Sequence, residues 1–254
     1  MDNTHNHPFV AALREQTPIY IETLGALMIY RNGIAAPWKG GGVGAKQLQR
    51  MAAYLIAHRD RYVSYAALIE IAGGRQKYQP RCRPNYVIGG LKALCKNLGM
   101  TAALRERGST LALCRHALWH TDTAALRERF DTAMGLAAQG QHDQAIVVSN
   151  EAALLCKGDY LPDFDAPGGY SIIEQADYWT MVQKQLFQTL TRSYLAASPD
   201  AAPYEAYLAA RRAIDFDQYD PYGYELAAEV VQRCGHEQIA GRYRRQAELL
   251  RRKQ

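Results

Sequence analysis

The chain has 254 residues, enough for two domains that each bury a core, and its 48% hydrophobic content excludes a disordered polymer. The net charge of +5 conceals a division: residues 1–118 carry 16 Lys and Arg against 6 Asp and Glu, a balance of +10, and residues 119–254 carry 14 against 19, a balance of −5. A basic half suits a polyanion and an acidic half a protein partner or a solvated surface, while no stretch approaches the ~18 consecutive apolar residues of a membrane span.

Residues 1–17 read as a loosely tied N-terminal arm with a short helical piece near residues 10–15. The opening M-D-N-T-H-N-H-P has no basic start followed by an apolar run, so a cytoplasmic location is expected. His5 and His7 have no Cys neighbour, and a polar arm is the expected reading there over a metal site. Residues 19–33 predict a strand, a kink at Gly25, a second strand and a turn at Asn32-Gly33, Asn-Gly being the strongest short hairpin signal. A third short strand is expected near residues 34–38. Lys39-Gly-Gly-Gly-Val-Gly-Ala-Lys46 resembles a phosphate loop only at a glance, because Gly-Lys followed by Ser or Thr is absent; it reads as a flexible connection. A helix over 45–58 turns Leu48, Met51, Ala52 and Leu55 inward, and Ser64 caps a second helix over 65–72 with Leu68 and Ile69 buried.

The loop over 73–80 leads into the stretch 81–99, which reads as one helix, with Pro84 in its first turn and Gly99 just past its end. Val87, Ile88, Leu91, Leu94, Cys95 and Leu98 form its inward arc. The outward side carries Asn85, Tyr86, Gly89, Gly90, Ala93, Lys96 and Asn97. Two helical glycines cost roughly 1 kcal/mol each against alanine: either something large approaches the backbone closely, or a weak solvated face is tolerated. Arg75, Lys77, Arg81 and Arg83 precede this helix, and Arg105, Arg107 and Arg115 follow it. A polar helix face between cationic loops fits a reader of a DNA groove. Residues 104–114 then predict two short strands around Gly108-Ser109. Strands, three helices and a hairpin give a winged helix-turn-helix order with the hairpin as wing. In that geometry Asn85, Tyr86, Gly89, Ala93 and Lys96 face base edges with Lys92 at the margin. Lys96, Arg81, Arg83, Arg75 and Lys77 hold phosphates, and Arg107, Ser109 and Thr110 reach the minor groove or the backbone.

Helical periodicity takes over in the second half, over residues 124–139, 143–155, 171–197, 204–215, 222–234 and 237–252. Gly140-Gln-His-Asp-Gln-Ala145 and Gly235-His-Glu-Gln-Ile-Ala240 repeat one junction: a glycine ends a helix, and an alanine five residues on lets the next pack closely. The expected fold is therefore an α+β N-terminal winged helix-turn-helix domain over 18–118, followed by an all-α tetratricopeptide-like helical repeat domain over 119–254. Tyr170, Tyr178, Trp179, Tyr204 and Tyr207 are expected to be packing aromatics.

These features together resemble the SARP-type bacterial transcriptional activators, which join an OmpR/PhoB-like winged helix to a bacterial transcriptional activation domain of tetratricopeptide-like helices. Thr23-Leu24-Gly25-Ala26-Leu27 with Arg31-Asn32-Gly33 resembles the opening strands. Lys46, Tyr54-Leu55, Tyr62-Val63-Ser64 and Ala67-Leu68-Ile69 resemble the first two helices, and Leu94-Cys95-Lys96-Asn97-Leu98-Gly99 the end of the recognition helix. Asp122, Phe130, Ala133, Gly158-Asp-Tyr-Leu-Pro162, Asp220-Pro221-Tyr222, Glu225, Gly235 and Tyr243 follow the activation-domain pattern. The chain departs from the family at Ile71-Ala72, where Leu-Trp is usual. It also departs at Cys95, and at Ala93 or Gly90, where arginines are usual, so weight shifts to the flanking loop and the wing. The resemblance implies a DNA-binding transcriptional activator of a bacterial cytoplasm, associated with the nucleoid. It implies two copies on promoter direct repeats, contact with RNA polymerase, and a 73–80 loop placed where Arg75 and Lys77 serve either DNA or polymerase.

Two other classes compete. The thinned helix fits a protein-interaction scaffold or ligand-responsive adaptor, in which the winged helix docks protein. An enzyme is disfavoured: Asp159, Asp163 and Asp165 read as a polar loop anchored by Leu161 and Phe164, and His116 and His120 have no third ligand. No catalytic residue, metal or cofactor is expected. The five scattered cysteines form no C-x-x-C and fit reduced thiols.

Overall fold

The first strand is central in its sheet. In the computed structural model, which describes residues 7–73, 84–164, 170–197 and 203–253, β1 (Ile19–Glu22) lies between β2 (Met28–Arg31) and β7 (Trp119–Thr121), with β3 (Ile34–Ala35) beyond β2. The pairing is antiparallel to β2 and parallel to β7. Covered on both faces, β1 buries all four side chains instead of alternating. Asn32 (φ 51°) and Gly33 (φ 78°) both take positive φ, as a tight hairpin turn requires.

The short helical piece expected near residues 10–15 of the arm forms α1 (Pro8–Gln16). The His7 ring accepts the Phe9 N–H at 3.2 Å and so caps the helix. Val10 and Leu13 are buried, and Arg14 donates from Nη2 to Glu22 Oε1 at 2.7 Å. Lys157 Nζ reaches the same carboxylate oxygen at 2.7 Å. The second half of this buried cluster is Asp122, which accepts from Thr23 N at 2.7 Å, Thr23 Oγ1 at 2.6 Å and Leu24 N at 2.8 Å. Burial outweighs these bonds and pushes the Asp122 carboxyl up to about 6.

The helices α2 (Ala45–Ala57), α3 (Tyr65–Gly73) and α4 (Pro84–Leu98) follow, with β4 (Val63–Ser64) before α3. A 3₁₀ turn at Thr101–Ala103 leads to β5 (Leu104–Arg107) and β6 (Thr110–Leu113), and a second sheet runs β4-β6-β5. Ser64 Oγ accepts the Ala67 N–H at 3.2 Å, the expected cap. Leu48, Met51, Ala52 and Leu55 are buried as their spacing predicts; on α3 the buried partners of Leu68 are Ile71 and Ala72, while Ile69 is half-buried. One core cluster joins these side chains, Ile71 excepted, to Ile19, Ile21, Leu91, Leu94, Leu111 and Trp119.

By its contacts the chain divides into two compact units, residues 1–123 with 157–177, and residues 124–156 with 178–254. The segment from 157 joins the first unit through backbone pairing: Gly25 N donates to Asp159 O, and Leu161 N to Thr23 O, both at 2.8 Å. Leu161 is buried and Phe164 stacks on Tyr54 with centroids 6.4 Å apart, so both anchor as expected. Ser171 Oγ lies 2.6 Å from His58 Nε2.

The second half contains α5 (Asp122–Ala138), α6 (His142–Ala153), α7 (Tyr170–Ala197), α8 (Pro203–Phe216), α9 (Pro221–Arg233) and α10 (Glu237–Arg251), each within two residues of its expected bounds. Gly140 (φ 76°) and Gly235 (φ 80°) take the left-handed conformation just past α5 and α9, and Ala145 and Ala240 are fully buried. In the second unit α9 packs against both α8 and α10. Of the expected packing aromatics Trp179 is buried, but Tyr170 and Tyr204 are 82% and 66% exposed, so neither belongs to the core. No helix among the described residues is long and apolar enough to cross a membrane.

Candidate nucleic-acid interface

α4 sets the geometry. Val87, Ile88, Leu91, Leu94, Cys95 and Leu98 are all buried, as their arc predicts. Burial pushes the Cys95 thiol up to about 12, which keeps it a neutral core group. Asn85, Tyr86, Gly89 and Lys96 are exposed, while Lys92 and Ala93 are half-buried.

The two adjacent glycines have different causes. Gly90 is buried, and a Cβ there would lie 2.2 Å from Val43 Cγ2 and 2.9 Å from the Gly40 carbonyl oxygen. Reciprocally, a Cβ on Gly40 would lie 2.1 Å from the Gly90 oxygen, and one on Gly42 (φ 79°) 2.4 Å from Tyr86 Oη. The glycine-rich stretch after Lys39 is therefore a packed turn, closed by Val43 N donating to Gly40 O at 2.9 Å, and not the flexible connection expected. Its glycines let two backbones touch. Gly89 has nothing within 4 Å of where its Cβ would stand. Of the two accounts of these glycines, close approach holds at Gly90, with the chain's own turn as the approaching body, while the space over Gly89 is open.

The C-terminal end of α4 is fixed in place. Gly99 (φ 80°) closes it, with Met100 N donating to Cys95 O at 2.8 Å. Arg31 Nη1 donates to Asn97 O at 2.7 Å, a cation at a helix C-terminus, and Asn97 Nδ2 donates to Lys39 O at 3.3 Å. Arg31 and Asn97 are thereby committed to the fold.

The β5–β6 hairpin stands beside α4. Gly108 (φ 55°) makes its tip, and Thr110 Oγ1 donates to Arg107 O at 2.7 Å across the turn. Tyr65 N donates to Ser109 O at 2.9 Å and ties the tip to the start of α3. The hydroxyl of Thr110 and the carbonyl of Ser109 thus have internal partners, while the Ser109 and Arg107 side chains are exposed. Lys96, Arg105 and Arg107 engage no carboxylate among the described residues. Lys92 differs: its Nζ lies 2.6 Å from Glu106 Oε1 on β5, and Tyr65 Oη donates to that same oxygen. The Lys92 ammonium also stands 5.5 Å from the centre of the Tyr65 ring. The bond to Glu106 raises the Lys92 pKa, and the bonds from Lys92 and Tyr65 lower that of Glu106.

Among the anticipated residues, α4 brings Asn85, Tyr86, Gly89, Lys92, Ala93 and Lys96 together, and the hairpin brings Arg107, Ser109 and Thr110. Arg75, Lys77, Arg81 and Arg83 lie outside the described residues. Glu106 and Tyr65 were not anticipated. Their signal is compositional: between Glu70 and Asp122 the sequence holds nine Lys and Arg and one acidic residue, Glu106. No three His, Cys, Asp or Glu side chains among the described residues are placed to hold a metal ion.

Neither a protein-family model nor a curated protein matches the sequence. Among solved structures the chain is similar to Mycobacterium tuberculosis EmbR in complex with a low-affinity phosphopeptide, at 16% identity and a TM-score of 0.49, over 88% of this chain and 69% of that one. At that level the likeness does not bear on function.

Proposed function

We propose that the first unit is a winged helix-turn-helix that binds duplex DNA, and that the chain is a sequence-specific transcriptional regulator of the SARP type. The observation that carries this reading is the exposed side of α4. Asn85, Tyr86, the open Gly89 and Lys96 share it beside a hairpin whose Arg105 and Arg107 are exposed, in a stretch of nine cations and one carboxylate. In this reading α4 enters the major groove. Asn85 pairs with an adenine edge, Tyr86 and Ala93 contact bases or sugar, and Gly89 admits the close approach of the groove floor. Lys96 holds a phosphate, together with Arg75, Lys77, Arg81 and Arg83 from the preceding segment. The hairpin is the wing, and Arg107, Ser109 and Thr110 reach the adjacent minor groove or backbone. The helical second half contacts RNA polymerase, and two copies occupy promoter direct repeats as an activator in the bacterial cytoplasm.

The test is anisotropy of labelled duplexes as a function of salt, on fragments selected by the full chain from a random pool. Lys96→Ala and Arg107→Ala should each weaken binding to all sequences and flatten the log–log salt slope by about 0.9. Binding with no salt dependence, or binding that both variants leave unchanged, would overturn the reading. A second reading, a protein-docking module, is favoured by an apolar groove on the second unit lined by Tyr204, Tyr207, Val230, Val231 and Ile239. In that case a peptide partner binds and duplex DNA does not.

A further inference from the structure

The carboxylate in the proposed interface stands between α4 and β5, where it meets Lys92. A helix in the major groove and a wing in the adjacent minor groove are separated by one sugar–phosphate backbone. The residues that bridge α4 and β5 meet that backbone, and in this chain they are Lys92, Glu106 and Tyr65. Lys92 Nζ and Glu106 Oε1 are 2.6 Å apart, and both side chains are partly open to solvent. Glu106 lies between Arg105 and Arg107 in sequence but points to the other side of β5 from them, towards α4.

We infer that Glu106 is an affinity-limiting and positioning residue of the DNA face. It occupies Lys92 and sets a negative charge beside the phosphate path, so that non-specific binding is held down. The inference rests on the DNA-binding reading above. Lys92 lies between helix and wing, and its ammonium is engaged by an internal carboxylate. A phosphate approaching it must displace Glu106 and also meets the repulsion of that group. The bond from Tyr65 Oη to the same oxygen holds Glu106 in this position and keeps the carboxylate from swinging clear. The chemistry recognised is a phosphodiester backbone, and the effect is independent of base sequence.

The experiment uses the full chain and random duplex DNA of fixed length, with Glu106→Gln, Lys92→Met and the double variant, and with circular dichroism to confirm the fold of each. Glu106→Gln is expected to bind about tenfold tighter at 50 mM salt, with a slope steeper by about 0.9, so that its advantage shrinks about threefold by 200 mM. The double variant is expected to lose the added slope, because the freed cation is gone. Tyr65→Phe should give a smaller gain of the same sign by loosening Glu106. If wild type binds the duplex with a salt-dependent slope but Glu106→Gln binds equally or more weakly, Glu106 is a contact or a neutral surface group and the inference is wrong, while the DNA reading stands. A Glu106→Gln gain that survives intact in the double variant likewise overturns the role given to Lys92. If wild type does not bind duplex DNA at all, the underlying reading fails and this one with it.

Discussion

Gly89 and Gly90 are neighbours on one helix, and alanine at each should move stability in opposite directions. Gly89→Ala adds a methyl with nothing within 4 Å. Only the helix-propensity term acts, a gain of about 1 kcal/mol, or about 3 °C in Tm for a unit of this size. Gly90→Ala receives the same gain, but its methyl would lie 2.2 Å from Val43 Cγ2, 2.8 Å from Val43 Cβ and 2.9 Å from the Gly40 oxygen. Ordinary carbon contacts are about 3.5–4.0 Å, so the turn must retreat by more than 1 Å. That carbonyl is held by the Val43 N–H at 2.9 Å, so the turn has to move as a unit. Overpacking of this kind costs roughly 3 kcal/mol, leaving a net loss of about 2 kcal/mol. Thermal unfolding followed by circular dichroism measures both. A Gly90→Ala protein that melts at the wild-type temperature would show that the turn after Lys39 does not lie on α4. The pair also separates stability from function: Gly89→Ala should raise Tm yet weaken binding to a selected duplex by about tenfold, roughly 1.4 kcal/mol.

Three further predictions concern the frameworks of the two units. Asp122 releases its proton only near 6 when folded, against 3.8 as its ordinary value, so the folded state binds more protons between these limits and this group's contribution to stability falls as pH rises from about 4 to about 6. The difference in unfolding free energy between wild type and Asp122→Asn should therefore fall by about 3 kcal/mol over that window; a flat or rising difference contradicts the shift. Arg14→Met leaves the buried Glu22 with Lys157 as its remaining cation among the described residues, and should cost about 3 kcal/mol and unprotect the amides of α1 in hydrogen exchange. Gly235→Ala meets no atom within 4 Å but must hold φ near 80°, so urea unfolding should show a loss of about 1 kcal/mol, with Gly235→Asn losing less.

What the chain states locally could be read along it. The inward arc of α4, the caps at Ser64 and Gly99, the Asn32-Gly33 turn and the two glycine–alanine junctions each depend on residues within one or two turns of one another. Periodicity and turn chemistry specify them without reference to the rest of the molecule. Most of the outward face of α4 was legible for the same reason, as the complement of a well-defined buried face; Gly90, expected on it, is instead buried against the turn after Lys39.

What depends on pairing at a distance could not be read in this way. β7 joins β1 about a hundred residues away, and α1, whose Arg14 bonds Glu22, packs on β1, as does the core that holds Ile19 and Ile21, so all four side chains are buried where alternation would have exposed every second residue. Residues 157–164 carry no strand periodicity, yet they pair with Thr23 and Gly25 through backbone groups to which any sequence contributes equally. The glycines of the Lys39–Lys46 stretch resemble those of a flexible connection, because a missing side chain permits motion and close packing alike; the approach of Gly90 decides for packing. The nature of each α4 residue was set by the sequence, but its availability was set by the tertiary structure. Lys92 and Lys96 are equal cations one turn apart, and the fold brings a carboxylate to the first and leaves the second exposed. Charge and spacing act along the chain; whether a charge is free depends on what folds against it.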